Sequence, residues 1–133
     1  MVARNIDVSE GEYYRRFKEL LTGMSDHGSG DGDMTKKMYA AQCVKDSTMA
    51  ESIVNAFFRV DISGMQAPED MVVHWCGRAH SDWRLGTVER IYTQPNGKSL
   101  DKSATGVVSI VTDGDPIPKD ANAMADYLWV FPD

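Results

Sequence analysis

The chain has 133 residues, 42% of them hydrophobic, and a formal net charge of −6 at pH 7. That is enough apolar side chain for one packed core, and too little clustered positive charge to follow a nucleic-acid backbone or an anionic membrane surface. Two cysteines do not make a disulfide framework, and no apolar run approaches the roughly 18 residues of a membrane span.

The N-terminal residues Met1 to Asp7 hold no apolar signal core. The expectation is a single domain over residues 1–133 in a cytoplasmic or other intracellular setting. Ser9 and Glu12 have the spacing of a capping box. Tyr13, Phe17, Leu20, Leu21 and Met24 then recur at helical intervals, and Gly23 marks a stop.

Ser25 to Asp33 is glycine-rich and acidic. Its order matches neither a calcium loop nor a phosphate loop, so it reads as a surface connection. A lid and an ion site are the other readings of it. Asp33 or Thr35 opens a second helix whose stripe Met34, Met38, Ala41 and Val44 is interrupted at Asp46-Ser47. Thr48 and Glu51 offer a second capping box, followed by Met49, Ala50, Ile53, Val54 and Phe57. One long helix and two joined helices both fit.

Alternation of Phe58, Val60 and Ile62 predicts a strand, and Ser63 to Asp70 a loop. Residues 71 to 93 carry two of the three histidines, one of the two cysteines and two of the three tryptophans. Met71 to Cys76 alternates as a strand, and Gly77 to Asp82 bends. Trp83 to Thr93 resumes as a strand whose phase breaks at Gly86. Gln94-Pro95-Asn96-Gly97 is a turn, and Thr105 to Thr112 a strand closed by Asp113-Gly114-Asp115-Pro116. A short turn at Ala121 to Ala125 precedes a closing strand from Asp126 to Phe131. Helices first and strands after imply an α+β fold, with N-terminal helices packed on a mostly antiparallel curved sheet.

The densest chemistry is His74, Cys76, His80 and Asp82. Zinc takes such ligands, but the spacing matches no standard site, so no metal is assigned. Both cysteines are expected as free thiols, and the reactivity of Cys76 stays open. No cofactor is assigned. Two functions compete. The first is an acidic macromolecule-binding or assembly protein, whose partner is another protein or a second copy. Tyr127, Trp129 and Phe131 would form its aromatic contact surface. The alternative is a small-molecule isomerase, hydratase or lyase with a cone-shaped pocket. There His74, His80 and Asp82 would be the catalytic acid–base residues.

Overall fold

The computed structural model describes residue 3 and residues 6–24, 32–58, 71–94, 97–114 and 117–132. The expected strand over 58–62 lies outside them apart from Phe58. So do the loop at 63–70 and the acidic loop apart from Gly32 and Asp33.

Helix α1 spans Glu12–Met24. It starts three residues after Ser9, and the Gly11 carbonyl accepts the first helical bond, from the Arg15 N–H. Tyr13 and Phe17 are its buried side. Glu12, Arg15, Arg16 and Glu19 pair with one another along its wet side.

Helix α2 runs unbroken from Gly32 to Phe57. Thr48 is no cap: its hydroxyl donates to the Val44 carbonyl inside the helix. The apparent interruption at Asp46-Ser47 is a buried polar patch on the helix's inner side. Tyr39, Cys43, Asp46, Ser47, Ala50 and Val54 form that side at spacings of three and four. Tyr39 and Cys43 pack with Tyr13 and Phe17 of α1, while Ala50 and Val54 pack with Ile91 and Leu100.

Residues 71–77 hold no regular secondary structure and are mostly exposed, not a sheet strand. Two 3-10 turns follow, Arg78–His80 and Asp82–Arg84. Helix α3 then spans Thr87–Tyr92. The broken phase at 83–93 therefore has a helical cause: Thr87, Val88, Arg90 and Ile91 are buried at helical intervals. Trp83 and Arg84 both take left-handed φ, 58° and 57°. Such angles are costly in residues with a Cβ, and tertiary contacts hold them here. Arg16 stacks over the Trp83 ring at 3.9 Å, the indole N–H donates to Asp120, and Arg84 pairs with Asp126.

The expected curved antiparallel sheet is corrected. The described residues form helices and one two-stranded parallel sheet. Strand β1, Val108–Thr112, and strand β2, Tyr127–Phe131, pair in the register Val108 with Tyr127 through Thr112 with Phe131. The chain crosses back between them through the short helix α4, Ala121–Met124. Because the crossover returns the chain to the same end, the strands run parallel. Ser109 and Val111 of β1 turn inward, whereas Val108 and Thr112 are exposed. On β2, Tyr127, Trp129 and Phe131 are exposed, and the last two rings stack at 5.3 Å with 7° between planes.

Asp126 locks the sheet's entry. Its carboxylate accepts the Val107 N–H at 2.7 Å and pairs with Arg84, and its own N–H donates to the Val107 carbonyl. Arg84 first, then that backbone N–H, hold the carboxyl below its ordinary value. The stabilisation is therefore present in full above the unfolded aspartate pKa of about 3.9, and is lost as pH falls through the lowered folded value. Asp126→Asn should cost about 1 kcal/mol in urea unfolding at neutral pH. The gap between variant and parent should close on acidification below that range.

Candidate functional site

The Asp46 carboxylate has no solvent exposure, and three side chains converge on it. The Tyr13 hydroxyl donates to Oδ2 at 2.5 Å. The Thr87 hydroxyl donates to Oδ1 at 2.9 Å, and His80 Nδ1 lies 2.7 Å from the same oxygen. An ionised carboxylate only accepts, so Nδ1 carries a proton, and in the neutral imidazole it is Nε2 that has the lone pair. Each member comes from a different element: Tyr13 from α1, Asp46 from α2, His80 from the first 3-10 turn and Thr87 from the start of α3. The site exists only when all four are packed.

Gln42 stands one turn before Asp46 on α2. Its amide nitrogen is 3.2 Å from the Tyr13 oxygen and 3.0 Å from His80 Nδ1. The same amide nitrogen lies 3.5 Å from His80 Nε2. At that length it is a weak interaction. The His80 side chain is 18% exposed, so the ring is anchored at one edge and reachable from solvent. Burial first, then the bond to Asp46, push the Tyr13 hydroxyl well above its ordinary pKa, so it stays a proton donor.

A second buried charged side chain, Arg90, is bonded to Ser47, the residue next to Asp46 on α2. Arg90 is 8% exposed and donates to the Gly86 and Asp7 carbonyls, to Glu89 and to Ser47 Oγ. Its guanidinium carbon is 5.5 Å from the centre of the Tyr13 ring. No buried side-chain nitrogen or oxygen among the described residues lacks a hydrogen-bond partner. A charge this deep is tolerated only under such complete pairing.

Gly86 lets the elements close. Its φ is 60°, and a Cβ there would stand 2.8 Å from the His80 carbonyl oxygen and 3.0 Å from the Tyr13 hydroxyl oxygen. Both the backbone conformation and the space demand glycine.

The three residues expected to be catalytic are not brought together as one acid–base group. His74 is exposed in the irregular stretch before the turn. Asp82 is buried, but it accepts from Ser109 Oγ at 2.7 Å and from Arg78 Nε at 3.0 Å. His80 takes its carboxylate from Asp46 instead, 34 positions upstream. Cys43 is a buried free thiol that burial holds above its ordinary pKa, and Cys76 is an exposed one. Among the described residues there is no group of three or more His, Cys, Asp and Glu side chains placed to hold a metal ion. A cavity of about 630 Å³ beside α1 is lined by residues such as Glu10, Tyr14, Arg15 and Lys18, and contains neither His74 nor His80. No helix among the described residues is long and apolar enough to cross a membrane.

Comparison with curated proteins and with solved structures gave no match. A family model does match, over residues 1–91, and its description is haem-binding uptake, Tiki superfamily, ChaN. Tyr13, Gln42, Asp46, His80 and Thr87 all fall inside the matched stretch, whereas Tyr127, Trp129 and Phe131 fall outside it. The match overturns the expected acidic macromolecule-binding or assembly function, and with it the expected protein partner or second copy. The family's description points to a small molecule instead. The aromatic face of β2 is exposed, yet exposure alone does not establish a contact surface. With its model covering more than half of the sequence, the chain belongs to the family described as haem-binding uptake, Tiki superfamily, ChaN.

Proposed function

We propose that this protein binds haem and that His80 is its protein ligand to the iron. The single observation that carries the reading is the His80 ring itself. Asp46 fixes Nδ1 as the protonated nitrogen, and the side chain remains partly open to solvent. The nitrogen left with a lone pair is the one a metal would take.

The donor set fits this group better than it fits a bare ion. A zinc or calcium site needs three or more protein ligands, and none is assembled among the described residues. Haem brings an iron already held by its macrocycle, so one axial histidine suffices. Apolar surface is also available in the same stretch of chain. Met71, Val73 and Trp75 are exposed and lead into the turn that carries His80. Asp46 holds the ring, Thr87 and Tyr13 hold Asp46, and Gly86 keeps the His80 backbone in place.

The test is a titration of the apo protein with haemin, followed in the Soret band. One equivalent should bind with a shifted band. His80→Ala should lose the shift and weaken binding by more than tenfold. Its stability should change by only about 1–2 kcal/mol, because the ring is partly exposed. His74→Ala should bind as the parent does. Equal binding by the parent and His80→Ala would overturn the assignment.

A further inference from the structure

We propose that Asp46, set by its hydrogen bonds from Tyr13 and Thr87, is a positioning residue that makes the His80 site select ferric over ferrous haem. This deepens the haem reading above and rests on it. A neutral histidine hydrogen-bonded through Nδ1–H to a carboxylate is a stronger electron donor at Nε2 than one bonded to a neutral acceptor. The better donor favours the more highly charged iron. Here the carboxylate is fully buried, so its charge is little screened by water.

The same geometry contains an opposing control. Asp46 Oδ1 is shared between His80 Nδ1 and the Thr87 hydroxyl, and Oδ2 takes the Tyr13 proton at 2.5 Å. Each of these two hydroxyls draws electron density from the carboxylate and weakens its pull on the imidazole proton. Removing the acceptor's charge and removing a competing donor should therefore move iron selectivity in opposite directions. A purely structural role for the network has no such sign change, since every lesion would simply loosen the site.

The site can accept these changes. In Asp46→Asn the amide oxygen can still receive His80 Nδ1–H, with the amide NH₂ toward Tyr13. The Tyr13 proton then turns to the Ala79 carbonyl, which already lies 3.1 Å from its oxygen. Tyr13→Phe and Thr87→Val keep shape and remove one donor each.

The experiment measures, for parent and variants, the reduction potential of the bound haem and hence the ratio of ferric to ferrous affinity. Haemin is the probe, and thermal unfolding of each variant is recorded alongside. Asp46→Asn should lower the ferric preference tenfold or more, which is 59 mV or more upward for a one-electron couple. Tyr13→Phe and Thr87→Val should each raise it, by about threefold, the scale of part of one hydrogen bond. The two conservative variants keep the test intact if Asp46→Asn does not fold. In the apo protein, ¹⁵N NMR should find His80 protonated at Nδ1 and not at Nε2. The reverse tautomer, shifts of one sign in all three variants, or no variant moving the ratio threefold would overturn the inference while leaving haem binding in place. Failure of the parent to bind haemin would overturn the haem reading and this inference together.

Discussion

Gly86→Ala should be among the most damaging single changes in the chain, with a loss of about 3 kcal/mol. Two independent penalties add at this position. The backbone φ of 60° disfavours any residue with a Cβ, and the added carbon would sit 2.8 Å from the His80 carbonyl oxygen. That neighbour is backbone and cannot rotate aside. The Tyr13 ring on the other side is held by its bond to Asp46. Relief therefore requires the turn at Arg78–His80 or the start of α3 to move, and either motion pulls His80 from Asp46. Chemical denaturation of the variant measures the loss. The haemin titration should show weakened binding even at temperatures where the variant remains folded. Gly97, also at positive φ but with nothing within 4 Å of a Cβ, is the control. Gly97→Ala should cost only the backbone penalty, about 1 kcal/mol.

Asp46→Ala should cost about 3–5 kcal/mol. The change removes the acceptor for three donors at once, the Tyr13 hydroxyl, the Thr87 hydroxyl and His80 Nδ1–H. Asp46→Asn keeps one acceptor and should cost less, about 1–3 kcal/mol. In Asp46→Ala with His80→Ala, one stranded donor is gone, so the double variant should lose less than the sum of the singles. Urea unfolding of the four proteins measures this coupling. Additive losses would mean that His80 and Asp46 do not interact in solution.

These two sites differ in how far the sequence exposes them. The stretch 71–93 stands out by composition, and it does carry His80. Helices α1 and α2 follow from helical spacing, and β1 and β2 from alternation, while the short turn expected at Ala121 to Ala125 is the helix α4. Asp46 is harder to see. In one dimension Asp46-Ser47 only breaks an apolar stripe, and the carboxylate nearest to His80 in sequence is Asp82. What makes Asp46 the partner is burial beside residues from three other elements, and no local pattern encodes that. The signal available was the position of Asp46 itself, on the same helical side as Cys43, Ala50 and Val54. A charged residue on an apolar side must be paired.

The expected sheet failed for a related reason. Val72, His74 and Cys76 alternate with Val73 and Trp75, but alternation becomes a strand only with a neighbour to bond. The parity conflict between Leu85 and Val88 already marked a change of period. Thr87, Val88, Arg90 and Ile91 resolve it as one and a half turns of helix, preceded by left-handed residues that propensity alone would not place there. The exposed row Tyr127, Trp129 and Phe131 was legible as a row, but its function was not, since a sheet face and a contact surface share one pattern.

If His80 Nε2 binds the iron, pulsed electron paramagnetic resonance of the ferric-haem complex should detect the bond through the ligand nitrogen. The protein would be prepared with ¹⁵N-histidine and compared with its His80→Ala variant. The parent should show a strongly coupled histidine ¹⁵N, and His80→Ala none. A complex with no histidine coupling, or a coupling that persists unchanged in His80→Ala, would contradict it.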